Sequence, residues 1–237
     1  MTDRLYFRQL LAGRDFATDD PVAANMVNFV YLIGDAETRE CVVVDPAWDA
    51  QSILDVVDAD GMTLVGALGT HYHPDHVGGS MFGFTVPGMA ALNELRPVKL
   101  HVNEHEADGV KQVTGLSESD LVRRSGGDVL EVGGVEIRFV HTPGHTPGSQ
   151  CFLVEGRLVS GDTLFVQGCG RVDLPGGDSG QLYESLTQKL AKLPDDTVLY
   201  PGHDYGRTPT STLPDQKKTN YAMRIPSLEA WMAMMGS

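Results

Sequence analysis

Cysteine is scarce: Cys41, Cys151 and Cys169 are the three in 237 residues, and no two of them form a C-x-x-C pair. A set this small, odd and scattered excludes a disulfide framework or a thiolate zinc knot and fits a reducing compartment. Cys41 and Cys151 each lie inside an apolar run, where packing is the expected role. There is also no run of about 18 apolar residues, so no membrane-spanning helix is expected. The opening MTDRLYFRQLLAGRDF carries charge throughout and has neither the apolar core nor the cleavage site of a secretory signal; the cytoplasm is the expected compartment. Positive charge is the third shortage. Eighteen Lys and Arg against 32 Asp and Glu leave a net −14, with no basic stripe for a phosphate backbone, so nucleic acid is not an expected partner. Neither a G-x-S-x-G elbow nor a GK[ST] phosphate loop offers a site.

What is present suits one α/β domain over residues 1–237, with 41% hydrophobic residues to fill its core. MVNFVYLIG and ECVVVDPAWDA read as strands joined by a polar turn, AQSILDVVDADG as a helix stopped by Gly61, and TLVGALGTH as a buried strand. An irregular apolar insertion is expected near 80–97, followed by the strand PVKLHVN and by helix or loop from about Glu104 to Arg124. DVLEV, VEIRFVHT, SQCFLVEG and RLVSGD are further strands. The helix SGQLYESLTQKLAKL, the strand TVLYPGH and a short helical tail close the chain. Strands and then a helix, twice over, suggest two similar halves facing each other.

The chemistry concentrates at strand ends. In GTHYHPDHVGG, His71 and His73 are two apart, so at the end of a strand they share a face and can reach one ion. Pro74 begins a turn that aims Asp75 and His76 at a second position, and Gly78 and Gly79 let backbone pack closely beneath. HTPGHTPGS presents His145, SGDTLF presents Asp162 and YPGHDYG presents His203. His71, His73 and His145 could hold one metal ion and Asp75, His76 and His203 a second, with Asp162 as the bridge. His141 is expected to support the His145 turn, and His101 and His105 to have surface or loop roles.

HYHPDH, TPGHT, SGDTLF and PGHDY, in this order, resemble the metallo-β-lactamase superfamily, which implies a four-layer αβ/βα sandwich. Common class B β-lactamases carry cysteine where Asp162 stands and lack His76, and the extra exosite or cap sequences of the superfamily's nucleases are not evident. SGDTLFVQGCGR, with His203-x-Tyr205, is similar to glyoxalase II-type thioesterases and to persulfide dioxygenases. The first resemblance implies two divalent ions, usually zinc, and hydroxide attack on a thioester or ester carbonyl, with Asp75 orienting the nucleophile or carrying a proton. The second implies one iron at the His71, His73, His145 and Asp162 positions, acting on glutathione persulfide. Only a short tail follows His203, without the helical domain that grips glutathione in full-length glyoxalase II; its length and placement are more like the dioxygenases. The insertion, longer than in typical dioxygenases, brings Met81, Phe82, Phe84 and Met89 as a candidate wall or lid.

An anionic small-molecule substrate, a thioester or related thiol derivative, would need local positive charge. Arg171 is the expected carboxylate contact and Tyr205 a substrate hydrogen-bonding group, with Lys217, Lys218 and Arg224 the other cations considered. Cys169 has no base beside it and is not expected to be a nucleophile. The Met-rich end AWMAMM suggests core or a homodimer contact.

Overall fold

The computed structural model describes residues 4–235; residues 1–3 and 236–237, at the ends of the expected domain, lie outside it. Two six-stranded sheets are stacked, with helices on both outer faces. The first contains β1 (Leu5–Leu11), β2 (Phe29–Asp35), β3 (Glu40–Val44) and β4 (Thr63–Leu68). α1 (Pro21–Met26) and α2 (Ala50–Ala59) fall between them, and α3 (Pro74–Val77), the hairpin β5 (Gly79–Met81) and β6 (Phe84–Val86), and α4 (Met89–Leu95) follow. β7 (Lys99–Asn103), α5 (Ala107–Thr114) and β8 (Leu121–Arg124) complete the half, in the sheet order β1-β2-β3-β4-β7-β8.

The second sheet is built from β9 (Val129–Val132), β10 (Val135–His141), β11 (Gln150–Val154) and β12 (Arg157–Val159). After the small ribbon β13 (Leu164–Phe165) and β14 (Gly168–Cys169) and helix α6 (Ser179–Glu184), the chain returns through β15 (Val198–Tyr200) and β16 (Ser211–Thr212). The order is β16-β15-β12-β11-β10-β9, and α7 (Leu213–Thr219), α8 (Tyr221–Arg224) and α9 (Leu228–Met235) end the chain.

The near-continuous apolar strands follow from burial on both faces. In β2, Val30 and Leu32 pack toward the helices while Phe29, Tyr31 and Ile33 face the opposite sheet. Cys41 and Val43 alternate in the same way with Val42 and Val44. Cys41 and Cys151 are both buried packing residues, as their apolar surroundings suggest. Helix α2 is capped by Asp49, whose side chain accepts from Ser52 N at 3.0 Å, an interaction worth about 1 kcal/mol. Its Ile53, Leu54 and Val57 are buried, each worth about 1.5–3 kcal/mol.

The local readings need four corrections. The irregular stretch near 80–97 is a regular hairpin followed by α4. The segment from Glu104 to Arg124 ends in strand β8, which pairs in parallel with β7. The helix expected over SGQLYESLTQKLAKL is α-helical to Glu184, then widens to π geometry and closes in a 3₁₀ turn. His101 is buried in β7, where Nδ1 accepts from Arg124 Nε at 3.1 Å, whereas His105 is exposed. In the Met-rich end, Trp231 is fully buried and donates to Ser179 O at 2.7 Å, while Met234 is exposed. No described helix is long and apolar enough to cross a membrane.

Candidate metal centre

Four strand ends converge at one edge of the sandwich. β4 runs into the loop carrying His71 and His73, and Pro74 starts α3, which presents Asp75 and His76. β10 leads to the His145 turn. The parallel neighbours β12 and β15 end side by side on Asp162 and His203. Gly202 is required there, since a Cβ on it would lie 2.5 Å from Asp162 Oδ1. Residues far apart in sequence are thereby brought together: one ligand atom from each of His71, His73 and His145 lies within 4.8 Å of the others, as do those of His71, His76 and Asp162, and of Asp75, His76 and His203.

Asp162 faces both sides. Its Oδ1 is 3.3 Å from His76 Nε2 and 3.5 Å from His203 Nε2, while Oδ2 is 3.6 Å from His145 Nε2. Asp75 Oδ2 lies 3.4 Å from both His76 Nε2 and His203 Nε2. Imidazole nitrogens meet closely, His145 Nε2 with His73 Nδ1 at 3.0 Å and His76 Nε2 with His203 Nε2 at 3.2 Å.

The outer ring nitrogens explain why the inner ones point inward. His145 Nδ1 meets Arg171 O at 2.7 Å and His203 Nδ1 meets Met26 O at 2.8 Å; a carbonyl only accepts, so both nitrogens donate and each Nε2 is left facing the cluster. His76 Nδ1 donates to Asp45 Oδ2 at 2.9 Å. Thr70 Oγ1 gives its proton to Asp45 Oδ2 at 2.6 Å and accepts from His71 Nδ1 at 3.0 Å. Asp45 thus lies beneath both halves, in the arrangement by which outer partners orient metal-binding histidines.

The inward atoms lack protein partners to match. His71 Nε2 and Asp162 Oδ1 are buried with no hydrogen bond. Burial, then the neighbouring His76, pushes His71 well below the ordinary imidazole value, and burial with His145 pushes His73 down to about 4. Burial opposes charge on His203 and His76 too, but the carboxylates outweigh it: Asp162 leads in raising His203 to about 10, and Asp75 and Asp162 raise His76. Burial also works against ionised Asp75 and Asp162, yet the surrounding histidines hold both below the ordinary carboxylate range. Crowded nitrogen lone pairs, ionised carboxylates and orphaned acceptors together fit a bound divalent cation.

Several supporting residues escaped the sequence reading. Asn28 is buried; its Nδ2 donates to Asp75 O at 3.0 Å and Asp75 Oδ2 at 3.2 Å, and its Oδ1 accepts from Trp48 Nε1 at 3.0 Å. Glu106, also buried, accepts from Tyr72 N at 2.7 Å, Thr146 Oγ1 at 2.8 Å and Gly148 N at 2.6 Å, clamping the His71 and His145 loops together. Asp45 did carry a signal, an aspartate ending an apolar strand as Asp162 does. Asn28 and Glu106 carried none. His141 supports the His145 turn, its Nε2 donating to Pro147 O at 2.9 Å, and its ring stacks on His105.

The expected substrate contacts reach the rim. Tyr205 stacks parallel on His203, 4.6 Å between centroids, and is 56% exposed. Arg171 lies at the mouth but is ion-paired with Asp173 at 2.5 Å. Lys217 pairs with Asp195 at 2.8 Å, and neither it, Lys218 nor Arg224 lines the cleft. Burial pushes the Cys169 thiol up to about 11, against a nucleophilic role.

Residues 25–203 match the family model of the metallo-β-lactamase superfamily. The chain is 31% identical over 217 residues to the human mitochondrial persulfide dioxygenase ETHE1, covering 88% of this chain and 76% of that protein. To a hydroxyacylglutathione hydrolase from a Synechococcus strain it is 34% identical over 194 residues, covering 78% of this chain and 68% of that one. The crystal structure of ETHE1 from Myxococcus xanthus superposes with a TM-score of 0.79 at 31% identity, covering 97% of this chain and 89% of the other.

Proposed function

Because the chain belongs to the metallo-β-lactamase superfamily, we propose that it is a metal-dependent hydrolase of the glyoxalase II-like type, acting on a thioester or ester. His71, His73 and His145 would hold one divalent ion and Asp75, His76 and His203 a second, with Asp162 between them. Zinc is the metal that this imidazole and carboxylate set suits best. The observation supporting the reading is that candidate ligand atoms gather in two groups, those of His71, His73 and His145 and those of Asp75, His76 and His203, with the two oxygens of Asp162 turned one to each.

When bound, such ions supply a Lewis acid and a water of lowered pKa. The protein's own contribution is orientation. Asn28 steadies the Asp75 carboxylate, which stays ionised among the histidines and would orient the attacking water. The Tyr205 hydroxyl, at the rim, donates to the bound substrate. Arg171 is a contact for substrate charge only where that charge displaces Asp173. A departing thiolate, with a parent pKa of about 8.5, needs no strong general acid. The test is thiol release from simple thioesters by zinc-loaded protein; no turnover of any thioester or ester would reject the proposal.

A second reading is a mononuclear iron persulfide dioxygenase acting on glutathione persulfide. The likeness to persulfide dioxygenases, in sequence and in fold over most of the chain, supports it. It leaves Asp75, His76 and His203 without a metal to hold. Oxygen uptake with glutathione persulfide by iron-loaded protein tests it.

A further inference from the structure

We infer that the cleft above the metal centre takes a substrate whose arm beyond the reacting carbonyl is apolar, an aliphatic or aromatic acyl group, and that Phe82 sets this preference. The inference rests on the hydrolase reading for where the carbonyl lies; the apolar recognition is tested separately.

The cleft, about 750 Å³, opens outward from Asp75, His145, Asp162 and His203. Its walls above that floor are Met81 and Phe82 from the β5–β6 hairpin, Leu174 and Pro175 from the loop after β14, and Phe165 and Tyr205 beside His203. Among the described lining residues Arg171 is the one Lys or Arg, and Asp173 already occupies it through two bonds of 2.6 and 2.5 Å. A polycarboxylate arm such as glutathione would meet no unpaired Lys or Arg among these walls. An acyl chain would meet hydrocarbon and aromatic faces.

Phe82 is the most exposed large apolar residue among those described, at 85%. Yet its place is well held. Phe82 and Gly83, at φ 51° and 85°, form the two-residue turn between Met81 and Phe84, which are paired across the hairpin. Such turns favour Asn-Gly, and a bulky side chain in the left-handed region is strained. The hairpin is braced from below, where Phe84 lies 6.5 Å from Trp48 between ring centroids and Trp48 N donates to Pro87 O at 2.8 Å. An aromatic residue that strains its turn and packs little against the fold is explained by what enters the cleft beside it.

Two measurements test this on zinc-loaded protein: kcat/KM for acetyl, butanoyl, hexanoyl and octanoyl thioesters of N-acetylcysteamine, and calorimetric binding of the matching free carboxylates and of glutathione. Both series should strengthen with length, by up to about 4-fold per methylene. Phe82→Ser should flatten the slope, while Leu95→Ser, at an exposed apolar residue outside the cleft, keeps it. A flat series in wild type, glutathione binding tighter than octanoate, or an unchanged slope in F82S would overturn the inference. Length-dependent carboxylate binding without hydrolysis would uphold apolar recognition and reject the hydrolase reading; hydrolysis with a flat series would do the reverse.

Discussion

In the proposed centre both half-sites would depend on Asp162, because among the described residues no other carboxylate lies against histidines of each. Asp162→Ala removes that bridge and leaves inward imidazoles without their counter-charge. It should lower thioesterase kcat/KM by about 100-fold or more and reduce bound metal, read by steady-state assay and elemental analysis. Full activity with metal intact would contradict its assignment. Asp45→Asn keeps every inner ligand but weakens the acceptor beneath His76 and Thr70, so metal affinity should fall by about 10–100-fold, measured by chelator competition. At this scale the sequence was most legible for the inner ring, where each motif repeats strand, glycine and ligand. Asn28 was illegible because its meaning comes from Asp75 and Trp48, which only folding brings to it.

Among the elements, the clamp at the start of α5 ties the loop bearing His71 and His73 to the loop bearing His145. Glu106→Ala leaves the Tyr72 and Gly148 amides and the Thr146 hydroxyl without their acceptor and should destabilise the fold by about 2–4 kcal/mol in denaturant unfolding. Glu106→Gln, retaining the volume and one carbonyl acceptor, should cost less; equal losses would show that one carbonyl does not replace the carboxylate that these donors meet. Strands buried on both faces were easy to read from their apolar runs. β8, LVRR, was not, because Arg123 and Arg124 hide its place at the sheet edge, where Arg124 lies against buried His101. The hairpin was missed because Phe stands where such turns favour Asn.

Over the whole molecule, acidity acts at two places. Asp35, tied to Arg4 Nε at 2.8 Å and to Gly134 N at 2.6 Å, links β2 of one sheet to the turn between β9 and β10 of the other. The Arg4 hydrogen bond leads in holding its carboxyl below the ordinary 3.8, so the stability it contributes is present above that value and lost as the pH falls below it. Asp35→Asn should therefore be less stable than wild type at pH 7, with the gap closing below pH 3.8 in acid unfolding followed by circular dichroism. At the metal centre, protons and metal compete for the same nitrogens. Asp162 and Asp75 favour a proton on the His76 and His203 pair, raising His203 to about 10 and His76 in the same direction, so protons oppose a cation there and metal affinity should climb from pH 6 to pH 8 with proton release on binding. The two-halves architecture was legible from the repeated strand-and-helix pattern; how the two sheets are set against each other was not, since it rests on packing between residues as distant as Ile33 and Phe152.

The most direct measurement is the metal content of protein purified under argon without added metal, by elemental analysis per chain. The account predicts about two zinc ions, one for each half-site on either side of Asp162. One iron per chain, with zinc absent, would contradict it and leave the dioxygenase reading in its place.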